Sequence, residues 1–327
     1  MWNNSIASFG ADSPWCLPAA FALDLALGDP RWLPHPVRII GRAATHLERI
    51  LVFSLGRTYL AGLSFTVVIV GGTWVVTASL VAAATAWDWR AGIVAQTLLL
   101  YTTLAARDLD LESGRVYRAL ADHDLAAARR ALSMIVGRDT QSLDETEVVR
   151  AAVETVAESS VDGVVAPIVF ALVGGAPAAM AYKAINTLDS MVGHRDDRYA
   201  RFGWASARLD DLANLVPARL ARLLYPLASL ACGYDALRTW RIAWRDGRKS
   251  HSPNAGIPEA AVAGALGVRL GGTNFYDGVA NERPYLGESL VPLRRDHVPA
   301  AIRLMYCVST LTLLLGLGLR MLLWHVW

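Results

Sequence analysis

Thr58–Trp87 is a run of 30 residues without one charged side chain. No other stretch restricts the fold as strongly. About 20 apolar residues in a helix cross the hydrocarbon core of a bilayer, so this run is long enough, with room for tilt. Shorter charge-free windows cover Ala91–Ala106, Val164–Tyr182 and Leu304–Leu319. Charged residues are 18% of the 327, where a soluble domain would hold about one quarter. The competing reading, a large buried helical core in a soluble protein, does not require windows this clean. Backbone in lipid must satisfy its own hydrogen bonds, which restricts spanning structures to helices and closed barrels. The expected fold is therefore all-α: a polytopic integral membrane protein with four or more transmembrane helices.

The chain reads as a single membrane domain over 1–327, with polar segments at 28–57, 107–163, 183–211 and 233–303. Gly28–Arg57 holds five Arg against two acids, and Gly233–Arg303 ten Lys or Arg against seven. Basic loops favour the cytoplasm, so both are placed inside and the N-terminus outside. Pro167, Gly174-Gly175 and Pro177 interrupt Val164–Tyr182, while Arg219 and Arg222 fall inside Leu212–Cys232. Such interruptions suit re-entrant or half-buried helices that line protein rather than lipid. That arrangement keeps every polar segment on the cytoplasmic side, where helical segments would form the site. Pro14–Gly28 is a short first helix, and Met1–Pro14 has no Lys or Arg, so no basic secretory leader is expected. Cys16, Cys232 and Cys307 stand apart, which gives neither a disulfide framework nor a zinc site. A net charge of +2 is too small to point to nucleic acid.

Glu154, Glu158 and Asp162 in "VETVAESSVDG" recur every four residues and are expected on one helix face. They are either a solvated acidic stripe or ligands for Mg²⁺, which takes one or two carboxylates plus substrate phosphates. "KAINTLDS" brings Lys183, Asn186, Thr187, Asp189 and Ser190 into two helical turns. A snorkelling Lys at a membrane edge would explain Lys183 but not its neighbours. "SARLDDLANLVPAR" sets Arg208, Asp210, Asp211 and Asn214 at helical spacings, as surface ion pairs or as a second metal-binding segment. In "SPNAGIPEAAVAGALGVRLGG", Asn254 to Gly256 is turn chemistry and Pro258-Glu259 opens a helix. Its glycines serve close helix packing or an anion at a helix start. "GDPRWLPHPVRIIG" is a stiff proline-rich loop, with His35 and Arg38 as ligand contacts or structural groups.

Taken in order, "LGDPRWLPHPVRIIG", "ETVAESSVDGVVAP", "GGAPAAMAYKAINTLDSMVGH", "FGWASARLDDLANLVPARL" and "SPNAGIPEAAVAGALGVRLGG" resemble one family. It is the adenosylcobinamide-phosphate synthase (CobD/CbiB) family of cobalamin biosynthesis, and the likeness covers Asp24–Gly287. "MVGH" departs from it, with His194 where a Tyr is expected. The resemblance implies an ATP- and Mg²⁺-dependent ligase, multi-pass in the bacterial inner membrane. It would join the corrinoid adenosylcobyric acid to aminopropanol phosphate, or a related amino-alcohol phosphate, through an amide. Membrane lipid, further copies of the chain and other cobalamin-assembly enzymes are the partners such a protein would meet.

A carboxylate must be activated before an amine attacks it, most simply as an acyl phosphate made from ATP. That chemistry needs metal and cations on the phosphoryl group, a site for the donor's phosphate, and a base. Glu154, Glu158, Asp162, Asp210 and Asp211 supply the pool of metal ligands. Lys183 and Arg208 are expected on phosphate, with Asn186, Asn214, Asn254, Glu259, His35 and Arg38 as further substrate contacts. Asp189 is expected as the base. The alternative is a transporter, or a sensor of the same family without ligase activity, in which buried acids bind ions or relay protons.

Overall fold

The computed structural model describes residues 13–30, 35–194 and 197–326. Residues 1–12, where no leader was expected, and residues 31–34 of the proline-rich loop lie outside the described residues. In chain order the helices are α1 (Cys16–Leu27), α2 (Pro36–Leu55), α3 (Tyr59–Trp87), α4 (Trp89–Tyr101), α5 (Ala106–Ala121), α6 (Leu125–Leu132) and α7 (Glu145–Ser160). A π-helical turn, Val161–Val165, leads into α8 (Ala166–Val192), followed by α9 (Trp204–Ala213), α10 (Leu215–Ala231), α11 (Ala236–Asp246) and α12 (Gly256–Leu266). A hairpin of β1 (Arg269–Tyr276) and β2 (Val279–Gly287) precedes the last helix, α13 (His297–Val326). Among the described residues, three helical stretches are long and apolar enough to cross a membrane: Tyr59–Trp87, Glu145–Val192 and His297–Leu322. The protein is a mostly helical membrane protein, as expected, with one hairpin that the sequence reading did not anticipate.

Contacts divide the chain into two compact units. The first contains 1–105, 166–214 and 315–327. Its centre is α3, of whose apolar window only 17% is buried by protein, leaving Val67, Val68, Val75, Val76 and Leu80 for lipid. The buried side, Ala61, Phe65 and Ile69, packs with Ile40 and Ala44 of α2, Met180, Ala184 and Leu188 of α8, and Phe202. Phe65 and Phe202 have ring centroids 5.0 Å apart. Gly62 lets the Phe202 carbonyl approach α3 so closely that any Cβ would overlap it. The Thr66 and Ser206 hydroxyls, 2.9 Å apart, tie α3 to α9.

One expectation for this unit changes and another holds. Ala91–Ala106 is one of the charge-free windows behind the expectation of four or more spans, but α4 ends at Tyr101 after 13 residues, well short of a bilayer. The Thr102 and Thr103 hydroxyls bond to the Leu99 and Leu100 carbonyls at 2.8 and 2.7 Å, satisfying the helix end. Within α8 the backbone leaves helical geometry at Gly174 and Gly175, in keeping with the interrupted helix expected there. Gly175 has φ +63° and abuts Gln96, so a side chain there would be strained and crowded at once.

The second unit contains 106–165 and 215–314. All eleven residues of α12 are buried, and Ala and Gly make that close packing possible. At Gly264 the helix meets the backbone of Arg238 and Thr239 on α11. Arg222, which complicated the reading of Leu212–Cys232 as a span, lies with its guanidinium 4.5 Å from the centroid of the Trp244 ring. The hairpin turns at Asp277-Gly278, both with positive φ (51° and 78°), the primed turn that suits strand twist. The register slips between Leu270 and Gly272, which makes Gly271 a bulge.

Candidate functional site

The sequence-predicted residues fall into two constellations, one in each unit. In the first unit, Tyr182, Asn186 and Asp189 recur on one face of α8 at about 100° per residue. They meet α9, which packs on α8. The Tyr182 hydroxyl donates to Asn214 Oδ1 at 2.8 Å, and Asn214 Nδ2 donates to Asp210 Oδ2 at 3.1 Å. Asn186 also hydrogen-bonds the Asp210 carboxyl. Burial and then the charge of Asp189 push the Asp210 carboxyl up to about 7, against the pull of the two amides. A carboxyl so placed takes either a proton or a cation near neutral pH.

Lys183 is half-buried on the neighbouring edge of the same helix. Thr187 and Ser190 spend their hydroxyls on their own helix, bonding to the Lys183 and Asn186 carbonyls at 2.7 and 2.9 Å. Arg208 is exposed on the side of α9 away from Asp210 and pairs with Asp211 at 3.7 Å. His35 is a helix cap: its Nδ1 accepts from Val37 N at 3.3 Å, and its Nε2 lies 3.0 Å from Asp29. Arg38 is exposed one turn further on.

In the second unit, Glu154 is buried and fully engaged. It accepts from Arg138, from Arg150 at 3.0 Å and from the bulged Gly271 N–H at 2.8 Å. Arg138 and Arg150 also bind Asn274 on β1. Glu154 thus anchors the hairpin to α7, so the metal role expected of it competes with two arginines. The even stripe of Glu154, Glu158 and Asp162 also breaks: α7 ends at Ser160, and Asp162 lies in the π-helical turn. Pro167 explains the turn, since its ring would clash with the Gly163 carbonyl in a regular helix.

Glu259, named as a substrate contact, is buried on α12. Burial first, then the charges of Glu158 and Glu154, raise its carboxyl well above the usual range, with Arg283 opposing. Its Oε1 makes no hydrogen bond and lies 3.8 Å from Arg283. An acid among acids does not suit a phosphate contact. Asn254 is buried and accepts from Arg219. A cavity of about 630 Å³ opens beside the hairpin, lined by Arg150, Arg269, Gly271, Gly272 and Tyr285. Arg269 stacks over Tyr285 at 4.3 Å. Among the described residues no group of three or more His, Cys, Asp or Glu is arranged to hold a metal. Arg138, Arg150, Asn274 and Arg283 were missed, because their partners lie up to 136 residues away in sequence.

The profile of the family described as CobD/Cbib protein matches residues 17–305. The chain belongs to the CobD/CbiB family. A cobalamin biosynthesis protein CobD of Geobacter metallireducens is 52% identical over 297 residues, 91% of this chain and 93% of that protein. The CobD of Klebsiella pneumoniae is 45% identical over 94% of this chain and 96% of its own length. The cobalamin biosynthesis protein CbiB of Salmonella typhimurium is 44% identical over the same shares. No solved structure matches. The family therefore rests on sequence along nearly the whole chain, including both constellations.

Proposed function

We propose that this chain is an adenosylcobinamide-phosphate synthase, an ATP- and Mg²⁺-dependent carbon–nitrogen ligase of cobalamin biosynthesis. It joins the free propionate of adenosylcobyric acid to the amine of aminopropanol phosphate, or of a related amino-alcohol phosphate. It works in the bacterial inner membrane with its site on the cytoplasmic side. The names of the relatives support the pathway. The observation that carries the chemistry is the Asp189–Asp210 pair, framed by Asn186, Asn214 and Tyr182.

The propionate oxygen attacks the terminal phosphorus of ATP, releasing ADP and leaving an acyl phosphate. The amine nitrogen then attacks the acyl carbon, the C–O bond to phosphate breaks, and the nitrogen's proton passes to the departing phosphate. Both halves crowd negative charge around the phosphoryl group, so stabilising it is most of the catalytic task. Two acids near enough for the charge of Asp189 to raise the Asp210 carboxyl favour a cation, and Mg²⁺ takes one or two carboxylates with substrate phosphates completing its shell. Asp189 and Asp210 fit that description and would hold the ion, which when bound offsets phosphoryl charge. Lys183 adds a point charge for phosphate. Asn186 and Asn214 fix the direction of the Asp210 carboxyl, and Tyr182 fixes Asn214. Holding three reactants in line can itself remove several kcal/mol of barrier.

The test is ligation by purified protein in detergent with ATP, Mg²⁺, adenosylcobyric acid and aminopropanol phosphate. ADP release that requires both substrates, with amide product by mass spectrometry, is expected. ADP release indifferent to the amine, or none at all, would remove the ligase reading.

A further inference from the structure

The second unit holds three neighbouring arginines that the ligation steps above leave unused. Helix α10 carries Arg219 and Arg222 one turn apart and has no acid. Arg248 follows α11 directly, and the whole stretch 215–258 has seven Lys or Arg against two acids, Asp235 and Asp246. Both acids are occupied elsewhere. Asp235 caps α11 by accepting from Arg238 N at 2.8 Å, and Asp246 is held by Arg245, Lys249 and the Gly287 N–H. Arg219, Arg222 and Arg248 make no ion pair with any described residue. Arg222 is only 4% exposed, and its Nε–H is buried without an acceptor among the described residues. Burial first, then the like charges of Arg219 and Arg248, lower its guanidinium from the ordinary range. Arg219 donates to Asn254, in the turn before α12, and that helix starts without a side-chain cap. The positive end of its dipole adds to the field of the arginines. A buried charged donor without an acceptor is costly, and so is the mutual repulsion; an anion removes both.

We propose that Arg219, Arg222 and Arg248 bind the phosphate of a small phosphomonoester. Guanidinium forks match phosphate oxygens in pairs, and a compact group with close to two negative charges suits three neighbouring cations better than a single carboxylate does. The ligase reading calls for such a site. Its amine donor carries a phosphate of its own, separate from the ATP phosphates that Mg²⁺ would meet beside Asp189 and Asp210. On that reading, and resting on it, the ester is the amino-alcohol phosphate. Asn254, expected as a substrate contact, then acts by holding Arg219.

The experiment is equilibrium dialysis of radiolabelled aminopropanol phosphate against the full chain in detergent, without ATP, Mg²⁺ or corrinoid. Wild type is compared with Arg222→Gln and with Arg248→Gln. Inorganic phosphate should compete in wild type, and aminopropanol, which lacks the phosphate, should not. Loss of one charge-assisted contact should weaken binding about tenfold or more in each variant. Arg222 is buried, whereas Arg248 is exposed and makes no ion pair, so Arg248→Gln should keep the wild-type melting profile, which is recorded alongside. A wild type that does not bind the ester, or a folded Arg248→Gln with wild-type affinity, overturns the site even where wild type ligates normally. Binding that both variants lose, in a chain that never ligates, leaves the site standing and removes the ligase. Phosphatidylglycerol retained through purification by wild type and lost from Arg248→Gln, with ester affinity unchanged, makes the cluster a lipid headgroup site and overturns the assignment.

Discussion

Asn214 donates its amide to Asp210 at 3.1 Å while accepting the Tyr182 hydroxyl at 2.8 Å, so a buried tyrosine on α8 sets the position of an acid on α9. Asp189 completes the arrangement from the same face of α8, and its charge helps hold the Asp210 carboxyl near 7.

Asp210→Asn should separate activity from stability. The Asp210 carboxyl titrates at about 7 in the fold, above its ordinary 3.8. A raised pKa means its stabilising contribution is complete below about pH 4 and is lost as pH rises through 7. Ionised Asp210 therefore strains the fold at pH 8, and the amide removes that strain while keeping an acceptor for Asn214. The variant should melt higher than wild type at pH 8 without added metal, and no higher at pH 4. Ligation should fall by about 100-fold or more, since a charge facing the phosphoryl group is gone. Melting curves at the two pH values, paired with an ADP-release assay, decide it; a variant with full turnover would free Asp210 of any role.

Tyr182→Phe removes one hydroxyl and leaves the ring stacked on Phe170, whose centroid is 4.9 Å away. The lost hydrogen bond should cost about 1 kcal/mol of stability. Released Asn214 no longer aims Asp210, so turnover should drop by about tenfold with little change in the corrinoid KM. A change confined to KM would mean that Tyr182 touches substrate instead.

Sequence patterning was sufficient wherever the signal was local. The 30-residue window became α3, the break at Gly174-Gly175 fell where two glycines and a proline interrupt the apolar run, and "KAINTLDS" placed Asn186 and Asp189 one turn apart on a helix. The Asp189–Asp210 pairing was not legible, because it depends on how α9 returns onto α8. The hairpin left a readable trace in Asp277-Gly278, but charged residues in "VANERPYLG" hide the alternation of a strand. The role of Glu154 was obscured for another reason. An acidic residue in a helical stripe looks the same whether it waits for a metal or for arginines, and Arg138 and Asn274 approach it only through tertiary structure.

Glu154→Gln tests that anchoring. Gln keeps an oxygen for the Gly271 N–H but leaves Arg138 and Arg150 facing a neutral group in a buried site. Breaking a buried pair from one side costs roughly 3–5 kcal/mol. The hairpin should loosen first, so limited proteolysis between 269 and 287 should accelerate well before the transmembrane helices open. Unchanged proteolysis with a large loss of Mg²⁺ affinity would instead return Glu154 to the metal.

Asp246 offers the clearest pH signature outside the site. It is fully buried at the end of α11, where Arg245 donates through Nε at 2.9 Å and Nη2 at 2.8 Å, and Lys249 approaches to 2.6 Å. The Gly287 N–H adds a fourth donor at 2.8 Å, fastening the end of β2 to the helix. Burial alone would raise this carboxyl, yet the donors of Arg245, Lys249 and Gly287 pull it down to about 2. A lowered pKa gives stability that is fully present above about pH 4 and disappears as pH falls through 2. The shift from 3.8 to about 2 is worth about 2 kcal/mol, so Asp246→Asn should be less stable by about that much at pH 7. Acidification from pH 4 to 2 should then weaken wild type more than the variant and close the gap between them. Trp240 and Trp244, 5.6 Å apart on the same helix, report the unfolding by fluorescence. A gap that stays constant from pH 7 to 2 would mean that the amide disturbs packing rather than charge, and that the four donors do not hold an ionised carboxylate.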